Sequence, residues 1–198
     1  MALILLTGSC GFIARHVIAL LKDEGHDVIG VDSLDARVHA RRRPEYPSID
    51  DAPKWWNQRD ELHIGRYVNT PDVMLEKADA IIHLAAQVSV ADSADDPLRY
   101  IFENTADTAA FLLRCPPKRI VVASSMSVYG EGGELVRETA PVNPTSVYGL
   151  TKYDQERLCL MWGKAHRVPA TALRFFNCYD DRTEVLTDAG FKFFKDVT

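Results

Sequence analysis

Short unbroken apolar runs recur along the chain, at 3–6 (LILL), 28–31 (VIGV), 80–85 (AIIHLA), 119–124 (RIVVAS) and 170–176 (ATALRFF). Runs of this length without polar alternation suit strands covered on both faces. Between them, 12–22, 71–77, 97–114 and 148–163 carry apolar residues at helical spacing, with Pro71 and Pro97 placed near two helix starts. The alternation of strand and helix predicts an α/β fold built on a doubly wound parallel sheet with right-handed crossovers. The stretch 35–62, rich in Pro, Arg and Asp and holding Trp55 and Trp56, keeps neither period and reads as a long insertion with room for a short helix. No internal repeat is visible.

Composition narrows the class without changing this picture. A chain of 198 residues fits one domain with a substantial core. With 46% hydrophobic and 26% charged residues, a disordered or fibrous protein is disfavoured. A net charge of −5 and a basic cluster limited to Arg41, Arg42 and Arg43 argue against a nucleic-acid partner. The cysteines at 10, 115, 159 and 178 form no CxxC pair and have no histidine at ligand spacing, so neither a disulfide framework nor a metal site is expected. A reducing, cytoplasmic compartment fits them. The apolar start lacks a basic leader and runs straight into Thr7 and Gly8, as a strand does rather than a signal peptide. No apolar run has membrane-spanning length, so no membrane partner is expected.

The first chemical constellation is TGSCGFIA at 7–14. Gly8 and Gly11 keep the turn between strand and helix free of bulk, so that backbone N–H groups approach a pyrophosphate while the helix opening at Phe12 and Ile13 directs its positive end at the same anion. The spacing alone is weak, and a tight turn without a ligand is the plainer alternative. Its place between a strand and a helix is the context that the motif requires. Asp32 follows 21 residues after Gly11, where a carboxylate accepts hydrogen bonds from an adenosine ribose and repels a 2′-phosphate. That favours NAD over NADP, although Arg37 and Arg41–Arg43 would suit a phosphate.

The second constellation is SVYGLTKYDQERL at 146–158, the opening of a helix that Ser146 or Thr145 can cap. Tyr148 and Lys152 stand at i and i+4 on one face. An ammonium beside a phenol stabilises phenolate and moves its pKa towards neutrality, as a general base for an alcohol requires. YxxxK is also common on ordinary amphipathic helices. Upstream, the strand at 119–124 ends in hydroxyls at Ser124, Ser125 and Ser127, on the edge where doubly wound sheets hold ligands. Ser125 is the candidate to bond the reacting oxygen, against the alternative of a serine-rich strand end with local caps.

In this order, TGSCGFIA, Asp32, HLAAQVSV at 83–90, Asn104 in ENTADT, SSMSVYG at 124–130, YGLTK at 148–152 and RFFN at 174–177 resemble the extended short-chain dehydrogenase/reductases, in particular NAD-dependent epimerase/dehydratase proteins acting on nucleotide sugars. The resemblance covers about 3–177 and implies a Rossmann-like NAD-binding domain there, stopping before a substrate domain. It implies Ser125, Tyr148 and Lys152 as the catalytic set, with Asn104 as a supporting polar residue. For the cofactor it implies Gly8, Gly11, Phe12, Ile13, Asp32, Ala85, Ala86, Asn104, Tyr148 and Lys152. Similar 4,6-dehydratases carry an acidic pair after the first catalytic hydroxyl, where this chain has Met126 and Ser127. Epimerisation is therefore the better expectation: hydride removal and return at the sugar C4, by way of a 4-keto sugar. An NAD-dependent reductase or dehydrogenase, or a non-catalytic NAD-binding fragment, are the alternatives. Relatives pair through helices equivalent to 97–114 and 148–163, which implies a homodimer. The family also places an adenine-recognising aspartate where HIGRYVN has Arg66.

The tail departs from the pattern. From Cys178 onwards, CYDDRTEVLTDAGFKFFKDV resembles the start of an intein, whose first cysteine attacks the preceding carbonyl, here that of Asn177. The expected boundary is thus 1–177 for the NAD-binding domain and 178–198 for an intein fragment with Cys178 as its splice-junction nucleophile. The alternative is that Cys178 is a small core residue and 179–198 a divergent continuation of the enzyme.

Overall fold

A computed structural model describes residues 1–39, 61–130 and 136–178. Strands β1 (Leu3–Thr7), β2 (Asp27–Asp32), β3 (Glu61–Ile64), β4 (Ala80–His83), β5 (Arg119–Ser125) and β6 (Ala170–Phe175) form one six-stranded sheet in the order β3-β2-β1-β4-β5-β6. Every pairing is parallel. The doubly wound sheet expected from the sequence is therefore present, with its switch of strand order between β1 and β4.

The central strands are apolar throughout because both faces are covered. On one face Leu5, Ile29, Ile81, Ile120 and Val122 pack with Phe111, Leu112, Leu75 and Tyr67. On the other, Leu6 and Val28 meet Ala14 and Ile18 of helix α1 (Phe12–Asp23). The next helices are α2 (Ala36–His39) and α3 (Asp72–Lys77). Three more follow between β4 and β5: α4 (Val90–Asp95), α5 (Pro97–Tyr100) and α6 (Asp107–Arg114). Helix α7 (Val147–His166) packs on β5 and β6, starts at a Ser146 side chain that accepts from the Gly149 amide at 3.0 Å, and ends at Arg167 in the left-handed region.

Two elements differ from the expectation, while α2 is a short helix of the kind the stretch 35–62 left room for. β3 overlaps the end of that stretch; ELHI is an edge strand with partly exposed side chains, so it lacks an apolar run. Residues 40–60, with Arg41–Arg43, Trp55 and Trp56, lie outside the described residues. The single helix expected over 97–114 is interrupted by a π-helical stretch, Ile101–Ala106, in which one extra residue per turn rotates Asn104 into the interior. Among the described residues no helix is long and apolar enough to cross a membrane, and no group of His, Cys, Asp and Glu could hold a metal ion.

Phe111 is fully buried, in edge contact with Tyr67 and stacked on His83 at 5.6 Å in each case. Phe111→Ala should cost about 3–5 kcal/mol in denaturant unfolding through the cavity it leaves; a loss under about 1 kcal/mol would mean that this face of the sheet repacks freely.

Candidate active site

A parallel sheet brings all its carboxyl ends to one edge, and here they open onto a cleft of about 440 Å³. Gly8, Gly11, Phe12, Ile13 and Asp32 line it from β1 and β2, Ala85 and Ala86 from the β4 exit, and Ser125, Tyr148 and Lys152 from β5 and α7. Of the residues expected at the site, Asn104 alone does not line the cleft.

The glycine turn is shaped by a close approach. Gly8 has φ +70°, and a Cβ there would stand 2.8 Å from the Ala85 amide nitrogen and 3.0 Å from its Cα. The Gly8 amide donates to Val31 at 2.8 Å and the Gly11 amide to Gly8 at 3.0 Å, which turns the chain back into α1. No side chain caps α1 and its first turn holds no acid. The start of α1 thus lines the cleft with no cap or acid of its own, a site suited to a phosphate.

Asp32 is buried, and its two oxygens accept from the Cys10 amide at 2.9 Å and the Leu34 amide at 2.8 Å. It therefore fixes the turn and the loop after β2 while lining the cleft. Arg66, at the position where the resemblance implied an aspartate, pairs with the Asp107 carboxylate, and both reach the cleft. Gln87 and Glu103 line the cleft, Gln87 donating to Glu103 at 2.7 Å, and the largely buried Arg99 joins Glu103 to Asp35.

On the β5 side, the Ser125 hydroxyl accepts from the Ser127 amide at 3.1 Å and caps the 3-10 turn Met126–Tyr129. The local cap considered as an alternative for Ser125 is thus real, and it leaves the hydroxyl on the cleft surface. Burial raises the Tyr148 phenol pKa, and a hydrogen bond with Ser125 partly offsets that. Lys152 is buried, which pushes its pKa down to about 7. Its ammonium donates to Gln155 Oε1 at 2.6 Å, so the phenol has Ser125 as its polar neighbour and the ammonium has Gln155. This corrects the expectation that an ammonium beside the phenol moves its pKa towards neutrality: burial dominates and holds it above the ordinary value.

Asn104 lies behind the wall rather than on it. Its side chain accepts from the Gln87 amide at 2.7 Å and donates to the Gln87 carbonyl and Thr151, each at 3.1 Å. It clamps the loop after β4 to α7, so its expected place among the cofactor contacts becomes a supporting one. Spacing along the sequence missed several residues. Glu156, one helical turn after Lys152, accepts from Ser124 at 2.7 Å and from Arg174 at 2.6 and 2.9 Å. These bonds overcome burial and hold its carboxyl below the usual range. Arg174 also donates to Tyr129 at 2.9 Å, fixing the turn that carries Ser125. Helix α4 supplies Ser93, whose hydroxyl accepts from the Tyr148 amide at 3.1 Å. The available signal was polar residues at 152, 155 and 156 on the face of α7 that carries Tyr148.

Cys178 is exposed, and partial burial raises its thiol pKa. Residues 179–198 lie outside the described residues.

Lys152 should leave a signature in stability against pH. An unfolded lysine keeps the ordinary value of 10.5, against about 7 in the fold. Between these the unfolded chain holds more protons, so this contribution is complete above pH 10.5 and is lost as pH falls to 7. Buried thiols and phenols, pushed up by burial, act with the opposite sign. The quantity to measure is therefore the difference in unfolding free energy between wild type and Lys152→Met, which should move in favour of wild type from pH 7 to 10.5. A constant difference would contradict the burial of the charge.

The profile of the NAD dependent epimerase/dehydratase family matches residues 4–189. An uncharacterized UDP-glucose epimerase of Bacillus subtilis is 33% identical over 186 residues, covering 90% of this chain and 57% of the relative. A UDP-glucose 4-epimerase of Azospirillum brasilense is 32% identical, covering 88% of this chain and 48% of its own. Among solved structures, the UDP-glucuronic acid 4-epimerase of Bacillus cereus in complex with UDP-glucuronic acid and NAD superimposes with a TM-score of 0.73 at 30% identity, covering 89% of this chain and 57% of that one. The chain thus spans about half the length of these relatives. The family match runs past the boundary expected at 177 and so lends no support to a change of protein at Cys178.

Proposed function

Because the chain belongs to the NAD dependent epimerase/dehydratase family, we propose that it carries the coenzyme-binding and proton-handling part of an NAD-dependent nucleotide-sugar epimerase. One observation carries this reading: the glycine turn, Asp32 and the Ser125, Tyr148 and Lys152 side chains share a single cleft along the carboxyl edge of the sheet.

The cleft fits NAD on its own features. Gly8, Gly11 and the uncapped start of α1 would hold the pyrophosphate, Asp32 the adenosine ribose, and Ala85 and Ala86 an apolar wall. When bound, NAD would supply the acceptor and donor of a hydride at the sugar carbon. Tyr148 would take the proton of the hydroxyl on that carbon and return it, and Ser125, beside it in the cleft, would hold the same oxygen. Lys152 would add the positive charge that stabilises phenolate. Met126 and Ser127, beside Ser125 in the cleft, offer no carboxylate for eliminating water, which favours epimerisation over dehydration. The substrate class rests on relatives that are UDP-sugar epimerases. Free cysteines at 10, 115, 159 and 178 accord with a reducing, cytoplasmic setting.

Tyr148→Phe should lower turnover of UDP-glucose or UDP-glucuronic acid by roughly 10²–10⁴-fold while calorimetry shows unchanged NAD affinity. Retained turnover removes Tyr148 as the base. Steady growth of the reduced-nicotinamide absorbance band during turnover would assign a reductase or dehydrogenase instead.

Pairing with a second copy is part of the same reading. Leu98, Phe102 and Leu113 on 97–114, with Leu150 and Met161 on α7, are large apolar side chains left exposed. Sedimentation should find a dimer that Phe102→Asp with Leu113→Asp converts to monomer. A monomeric wild type at micromolar concentration would exclude pairing through this face.

A further inference from the structure

Behind the cleft wall, Lys152 does not face an apolar core. Its Nζ donates to Gln155 Oε1 at 2.6 Å, and Gln155 is fully buried. The Gln155 Nε2 lies 3.0 Å from Thr108 Oγ1, 3.2 Å from His83 Nε2 and 3.3 Å from the Ala85 carbonyl. The amide has one possible orientation. An ammonium only donates and a carbonyl only accepts, so Oε1 must face Lys152 and Nε2 must face Ala85. His83 packs into the same cluster: its Nε2 lies 3.2 Å from the Gln155 amide and 3.3 Å from Thr108 Oγ1, and its Nδ1 lies 2.7 Å from Thr7 Oγ1. Thr7 in turn accepts from the Ala85 amide at 3.3 Å. The peptide wall at Ala85 is thus held from one side by Thr7 and from the other by Gln155, and the same Gln155 holds Lys152.

We propose that Gln155 is a positioning residue for the proton chemistry, fixing the Lys152 ammonium from behind and tying its place to the Ala85 wall against which the coenzyme lies. The role assigned to the coenzyme and to Lys152 rests on the epimerase reading above. Glu156 cannot perform this task, because Arg174 and Ser124 occupy its oxygens. The titratable groups that sense the Lys152 charge are His83 on β4 and Cys159 on α7; Tyr148 shares the cleft with it. Burial and the neighbouring Lys152 charge lower the His83 pKa to about 3, which keeps the ring neutral beside the Gln155 amide.

The test reads the lysine directly, in coenzyme-free protein labelled with 13C at lysine Cε, with the Lys152 resonance assigned by its loss in Lys152→Met. Gln155→Met keeps the volume and removes the acceptor, so Lys152 should titrate about one pH unit lower than in wild type; Gln155→Glu supplies a carboxylate and should move it about one unit higher. The Glu variant should also draw a proton onto His83, visible in its ring resonances. A general loosening of the core would move both variants the same way, so shifts of like sign, or none in a folded variant, overturn the proposal. Wild type gives a reading that needs no variant: the Gln155 side-chain N–H protons should exchange slowly with D2O and shift through the Lys152 titration. Fast exchange or unmoved shifts would also overturn it. Failure of wild type to bind NAD would end the epimerase reading while leaving these titrations interpretable.

Discussion

The direction of the strands governs everything else in this molecule. Six strands run the same way, so each delivers the residues at its carboxyl end to one edge of the sheet. Gly8 follows β1, Asp32 ends β2, Ala85 follows β4 and Ser125 ends β5. They are far apart in the chain and meet because parallel pairing leaves them no other place. The strand order reverses between β1 and β4, and the loops leaving those two strands therefore part and leave a crevice. Gly8 shows how tight that geometry is, since even a methyl group at its position would press on the Ala85 backbone.

Such an edge collects polar groups, and polar groups inside a fold are tolerated when each finds a partner. The interior beneath the cleft is organised to meet that demand. Arg174 reaches from β6 to hold Glu156 with two bonds and Tyr129 with a third. Asn104 pairs with both backbone groups of Gln87 as a strand would. Gln155 links Lys152, His83, Thr108 and the Ala85 carbonyl. Each arrangement fixes a segment that carries a cleft residue, so the features that make the interior stable also make the site rigid. Burial is the main influence on the Lys152 charge.

The parts of this structure that were readable in advance share one property: their meaning is local. The LILL run, the turn TGSCGFIA and the helix after it can be understood within a dozen residues, since strand, bend and helix dipole all act at short range. The tyrosine and lysine of YGLTK share a face by helical geometry alone. β3 was not readable in the same way. ELHI has no apolar run because an edge strand is covered incompletely, and its strand state comes from β2 beside it. Helix α4 and the π-helical break at Ile101–Ala106 likewise follow from contacts with α7 and the loop after β4, for which VADSAD and IFENTA carry little periodic signal.

Taken alone, the sequence determined the class of fold, the glycine bend between strand and helix, and which hydroxyl, phenol and amine the cleft would hold, because periodicity and short-range backbone geometry are written residue by residue. Tertiary structure alone decided what surrounds them. It placed Asn104 behind the wall rather than on it, gave Lys152 to Gln155, turned Arg66 towards Asp107, and set the Tyr148 phenol against Ser125. Those outcomes depend on which side chains from distant strands and helices are left facing one another once water is excluded. Hydrogen-bond partners and pKa values inside a fold are properties of that enclosure rather than of any stretch of chain.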